Sequence, residues 1–310
     1  MRYQTIFIYI TSSFFAVIYS YIASQRKITG DTLNYINFYT DISIKNWSYS
    51  NCQGFEPLFC YVSRLLMHIG WNPATVHTIW AFLVAILIYS AIVRYQSKFI
   101  VKLTFLAIPL ALNFFHPTEV YFLTRQFIAG AFLMNLFISQ SRASHLLWSL
   151  LAITTHFFSL PLIVLFLISR YNIVSLFLNN AKYIVPATLL VVYFFEKEIN
   201  IIRATLEYKI LHYDGKSDGS LSVIAEIKFL LYFLVSYILV RGNDRAFLVL
   251  CAIFYVATFT HELAHLRYHK YLYFVFMYMF LHSVRLQLSW FVGVVAFIGS
   301  YRMISVVKWL

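Results

Sequence analysis

Charge is scarce in this chain. Of its 310 residues only 12% are Asp, Glu, Lys or Arg, while 61% are hydrophobic. A soluble domain carries roughly 25% charged residues, so an ordinary water-soluble globule is excluded. Acid is scarcer still, with 12 carboxylates against 24 Lys and Arg, and none lies beyond Glu262. There is no D-x-D pair to hold a divalent ion on a phosphate, and the three cysteines (Cys52, Cys60, Cys251) form no C-x-x-C framework. A Cys52–Cys60 disulfide is an option that the spacing leaves open. No internal repeat, low-complexity tract or linker is visible. Residues 4–23 follow Met1-Arg2 like a signal sequence, but no small-residue cleavage site follows, so they read as an uncleaved helix.

What is present is apolar length. Runs near the roughly 20 residues that cross a bilayer recur at 4–23, 74–93, 99–115, 126–140, 183–197, 222–240, 246–260, 270–284 and 288–307. The expected fold is an all-α polytopic integral membrane protein with about 9–11 transmembrane helices, forming one membrane-embedded domain over 1–310. Residues 57–70 are too short to span and too apolar for a loop, and predict an interfacial or re-entrant helix starting at Pro57.

The net charge of +12 points to topology and to anionic lipid or phosphate, with no nucleic acid implied. Arg2, the Arg94–Lys102 cluster, Arg142, the Arg170–Lys182 segment, Arg241, Arg245 and Arg285 belong on the cytoplasmic side. Residues 145–169 must then leave and return to that side within 25 residues, which predicts a short helical hairpin broken near Thr154-Thr155-His156. This threading puts most of the acids, and the two longest loops at 24–56 and about 198–221, on the outer side.

Polar groups near apolar spans are costly and mark function. On the outer side they are Asp31 and Tyr35, Glu56, Arg125-Gln126, His156, Arg203, Asp214 in "HYDGKSDGS", and Arg267-Tyr268. Each also has a plain structural reading: a turn at Asp31, helix-end stabilisation by Glu56, snorkelling by Arg125. As a set they suit a lipid-pyrophosphate-linked sugar, with arginines for pyrophosphate and aromatics for sugar faces and lipid tails.

Four pieces of the sequence resemble the EpsG/Wzy group of bacterial polysaccharide polymerases, which includes the O-antigen polymerases. They are Asp31-x3-Tyr35, Glu56-Pro57, "TRQFIAGAFL" around Arg125-Gln126, and "LAITTHFFSLPLIVL" around His156. Arg267-Tyr268 is similar to the group's last polar element. The resemblance implies a GT-C-like glycosyltransferase architecture in a bacterial inner membrane with its site toward the periplasm. It implies metal- and cofactor-independent glycosyl transfer from one undecaprenyl-pyrophosphate-linked glycan to another, with a chain-length regulator and a flippase as partners. Arg125, Arg203 and Arg267 would hold pyrophosphate, and Glu56 or His156 would be the base. Asp31, Tyr35, Gln126, Asp214, His261 and Tyr268 would contact sugar.

A competing reading comes from "HELAH" at 261–265, the H-E-x-x-H pattern of zinc proteases. A third ligand is wanted downstream, and no acid follows Glu262. His261, His265 and His269 span eight residues, about 12 Å of helix, too far to grip one ion. A transporter or flippase is the remaining class, although related halves are not visible.

Overall fold

The computed structural model describes residues 2–25, 31–45, 47, 52, 55–95, 115, 117–171, 223–258 and 262–285. All regular structure among them is helical. The helices are α1 (Arg2–Ser24), α2 (Asp31–Ile44), α3 (Pro57–His68), α4 (Pro73–Tyr95), α5 (Pro117–Phe122), α6 (Thr124–Ile138) and α7 (Arg142–Thr155), then α8 (Leu160–Tyr171), α9 (Val223–Leu239), α10 (Gly242–Ala257) and α11 (Glu262–Arg285). A 3-10 turn, Phe157–Ser159, separates α7 from α8.

Local chemistry sets the helix ends. Proline opens α3, α4 and α5, where its missing N–H has no helical partner to lose. Asn72 caps α4 by accepting from the Thr75 amide at 2.8 Å, and Ser141 caps α7 by accepting from the Ser144 amide at 3.1 Å. α3 stops at Gly70, whose φ of +97° costs an L side chain dearly.

Among the described residues one helix, Pro73–Val93, is long and apolar enough to cross a bilayer by itself. Phe157–Tyr171 and Phe229–Leu239 are shorter apolar helices. The expected spans at 4–23, 74–93, 126–140 and 222–240 coincide with α1, α4, α6 and α9 within a few residues. Those at 99–115, 183–197 and 288–307 fall outside or almost outside the described residues. Two expectations need correction. Residues 24–56 are not simply a loop, because 31–44 form α2, on which Thr32, Tyr35, Phe38, Tyr39 and Ile42 repeat at helical spacing and are buried. The helix expected at 270–284 begins eight residues earlier, at Glu262. Hydropathy finds apolar length, whereas a helix carries polar residues wherever neighbours satisfy them.

Packing gathers the chain into two compact units, 1–160 with 273–310, and 161–272. In the first, α1 lies along α4, with Phe15 stacked on Tyr89 at 4.7 Å and the Tyr19 hydroxyl donating to the Phe115 carbonyl at 2.6 Å. α6 is buried nearly all round and packs against α4 and α7. α3 meets α2, α4 and α7, and its Ser63 accepts from the Trp80 indole at 2.9 Å. The chain breaks at His156, in extended backbone between α7 and the 3-10 turn, where the sequence predicts a break. In the second unit α9 packs on α10, with Phe229 stacked on Tyr255 at 4.0 Å.

Candidate functional site

Glu56 is the residue on which the first unit converges. It immediately precedes Pro57 and is only 3% exposed. Its Oε2 accepts from Arg125 Nη1 at 2.6 Å, and its Oε1 accepts from the Phe157 amide at 3.4 Å. One carboxylate therefore joins the start of α3, the first turn of α6 and the break after α7, segments 69 and 101 residues away in sequence. A charge taken this far from water is stable only when paired and hydrogen-bonded, and Glu56 is both.

Arg125 is the second residue of α6, and its side chain is 15% exposed. Its guanidinium lies 4.2 Å over the Phe55 ring and 5.8 Å from the Tyr35 ring, and Nε donates to the Tyr35 hydroxyl at 3.5 Å. Aromatic faces hold a guanidinium without neutralising it. The segment carrying Phe55 and Glu56 is tethered by a Cys52–Cys60 disulfide. Phe55 also stacks on Phe38 at 3.9 Å.

Under this layer lies His77, fully buried on α4. Its Nδ1 pairs with the Tyr39 hydroxyl at 3.0 Å, and its Nε2 pairs with the Tyr121 carbonyl at 2.7 Å. Since a carbonyl only accepts, Nε2 carries the proton and Nδ1 accepts from Tyr39. Burial pushes the Tyr39 hydroxyl well above its ordinary range, which keeps that donor protonated. Thr124, the residue before Arg125, is 3.2 Å from the same Nε2, and the Tyr35 ring lies 5.2 Å from the imidazole. His77 thus fixes both the first residue of α6 and the tyrosine beside Arg125.

The first unit brings together Tyr35, Glu56, Arg125 and the backbone next to His156. His156 is buried and lies 5.6 Å from the Phe158 ring. Gln126 is buried on α6, and Asp31 is the half-buried first residue of α2. Arg267 and Tyr268 lie on α11 within the second unit, where Arg267 is half-buried and Tyr268 is buried edge-on to Phe254 at 4.7 Å. Arg203, Asp214 and His261 lie outside the described residues. Sequence reasoning missed His77, Phe55 and Tyr39. For His77 a signal existed, because it is a lone polar side chain near the start of an apolar span.

Of the "HELAH" histidines, His265 is buried in the second unit, as is His269 one turn further on. His265 Nε2 lies 3.0 Å from Glu226 Oε1, and its Nδ1 lies 3.1 Å from the Thr258 hydroxyl. His269 Nδ1 pairs with the Tyr255 hydroxyl at 2.9 Å, and that hydroxyl donates to Glu226 Oε2 at 2.8 Å. Both ring nitrogens of His265 are therefore engaged, so as arranged it has no lone pair to give a metal. Among the described residues no three His, Cys, Asp or Glu side chains converge as a metal site. His265 and His269 thus sit in a buried network, with Glu226 and Tyr255 as their partners inside the unit.

The family description that matches this sequence is "EpsG family", over residues 7–310. No curated protein and no solved structure matches the chain.

Proposed function

The chain belongs to the EpsG family, and from that premise we propose that it is a polysaccharide polymerase acting at the outer face of a bacterial inner membrane. In this reading about 9–11 spans form a GT-C-like scaffold. A growing glycan passes from undecaprenyl pyrophosphate to a sugar hydroxyl of a lipid-linked repeat unit. The hydroxyl oxygen attacks the anomeric carbon, the bond from that carbon to the pyrophosphate oxygen breaks, and the configuration inverts.

The observation that carries the reading is the Glu56–Arg125 pair, built from distant segments and roofed by aromatic rings. Pyrophosphate leaves without a general acid provided its developing charge is met, and a preoriented guanidinium does that. Glu56 and the Phe55 face orient Arg125 for the pyrophosphate. Both Glu56 oxygens are engaged, which suits holding an arginine better than taking a proton. Of the two candidate bases we therefore favour His156, with Asp31, Tyr35 and Gln126 as sugar contacts. The disulfide supports the outward orientation, because such bonds persist in oxidising compartments.

Purified protein incubated with lipid-pyrophosphate-linked repeat units is expected to form ladders of longer glycans, with EDTA making no difference. Movement of lipid-linked sugar across a vesicle without any new glycosidic bond would mean a flippase. Zinc bound in stoichiometric amount with EDTA-sensitive peptide cleavage would mean a protease.

A further inference from the structure

We propose that Arg64, on the buried side of α3, is a binding site for the phosphate group of a membrane lipid. This site is separate from Arg125 and independent of the polymerase reading.

Arg64 is 2% exposed, and its Nη1 and Nη2 are buried without a hydrogen-bond partner among the described residues. Only Nε is used, donating at 3.1 Å to the Ile42 carbonyl in the last turn of α2. A guanidinium stays charged at any ordinary pH, and a buried charge with no partner is strongly unfavourable. The helix end at Ile42 offers a partial negative charge, and the Trp47 ring lies 5.5 Å from the guanidinium carbon. Neither supplies an acceptor for two NH2 groups. α3 itself contains no acid. Asp41 pairs with Lys45 at 3.8 Å, and Glu56 is held by Arg125. The nitrogens left over form the planar fork that matches two oxygens of one phosphate.

The other side of α3 says what kind of molecule carries that phosphate. Tyr61, Leu65 and Ile69 are exposed on it, as are Trp71 just beyond and Trp47 above. Twelve residues give about 18 Å of helix, well short of a crossing of about 30 Å. Such a helix lies in the interface, with lipid phosphates at its own depth and hydrocarbon against its exposed face. Trp47 lies parallel to Tyr61 with centroids 6.4 Å apart, and it is 55% exposed. In the proposed complex the phosphate lies against the Arg64 fork, and the hydrocarbon chain of the same molecule lies along Leu65 and Ile69. A membrane phospholipid and a polyprenyl pyrophosphate share this chemistry.

The test uses the purified full chain in the Arg125→Ala background, so that the other arginine site is silent. Thermal melting is followed while farnesyl pyrophosphate, phosphatidylglycerol or farnesol is titrated in. The two phosphate-bearing amphiphiles are expected to stabilise saturably and farnesol not to. Arg64→Gln should weaken that binding by about ten-fold or more, and Arg64→Lys, which keeps the charge and loses the fork, by less. Should Arg64→Gln fail to fold, competition by inorganic pyrophosphate against phosphatidylglycerol, compared between the chain with Arg64 intact and the Arg64→Lys variant, reads the same site. Preference for the isoprenyl compound identifies a polyprenyl ligand, and equal or greater response to phosphatidylglycerol identifies bulk lipid; either supports the site. Equal stabilisation by farnesol, no stabilisation by any phosphate, or binding unchanged in both Arg64 variants overturns it.

Discussion

At the scale of single residues, the pair Glu56–Arg125 makes the sharpest demands. Arg125→Ala removes the cation that pairs with the buried Glu56 carboxylate, so both stability and polymer formation should fall. Arg125→Lys is expected to recover part of the rate, because the charge returns without the planar fork. Arg142→Ala is the control, an exposed basic residue at the start of α7, and should form polymer of normal length. Glu56→Gln removes a charge-assisted hydrogen bond worth about 1.5–3 kcal/mol, read as a lower melting temperature and a loss of chain extension. Normal polymer from Arg125→Ala would dismiss the pyrophosphate role. His77 offers a subtler comparison. His77→Leu strands the Tyr39 hydroxyl, at about 1–3 kcal/mol for a buried group left unpaired, and takes one donor from the Tyr121 carbonyl, which Thr32 and Thr124 still reach. His77→Gln keeps an amide that can donate to that carbonyl, and is expected to retain more chain extension than His77→Leu at matched protein levels.

Elements meet closely around α6. A Cβ added at Gly130 would run into the Phe274 ring, which is itself stacked on Phe115 at 4.4 Å. Gly130→Ala should therefore cost about 1–3 kcal/mol through overpacking, measured by thermal melting in detergent. Adding Phe274→Leu should restore much of it, since the shorter side chain vacates the place of the ring. Restoration would locate the loss in that contact, and an additive further loss would refute it. The disulfide over α3 makes a second demand at this scale. Closing its short loop stabilises by about 2.5 kcal/mol in the chain-entropy account. Because Phe55 and Glu56 lie between the two cysteines, Cys52→Ser is expected to lower activity as well as melting temperature. A fall in melting temperature with full activity would separate the tether from the site.

For the whole molecule the testable property is orientation. A cysteine introduced in 208–220 should react with an impermeant reagent applied from outside, and one at Arg241 should not. The reverse pattern would invert the threading and remove the outer face from the proposed function. Native Cys251 is buried on α10 and gives a low background in this experiment.

The sequence by itself determined the environment and the family, because both depend on quantities that add along a chain: apolar length, the placement of Lys and Arg, and short ordered motifs. It also marked the right local features. Pro57 opens a helix, the chain breaks at His156, and Arg125 sits in the first turn of α6. α2 went unread inside what hydropathy presents as a loop, because its surroundings are polar, although Tyr35, Phe38, Tyr39 and Ile42 keep helical spacing. What only the tertiary structure decided is which polar groups meet. That Glu56 would hold Arg125 rather than stand as a free base depends on bringing α3 and α6 together across 69 residues. That His77 would sit beneath them, and that His265 would turn to Glu226 rather than to a metal, depends on neighbours from other helices. A buried polar side chain takes its role from the partner that satisfies it, and in this chain those partners lie on other helices, where spacing in the sequence does not reach.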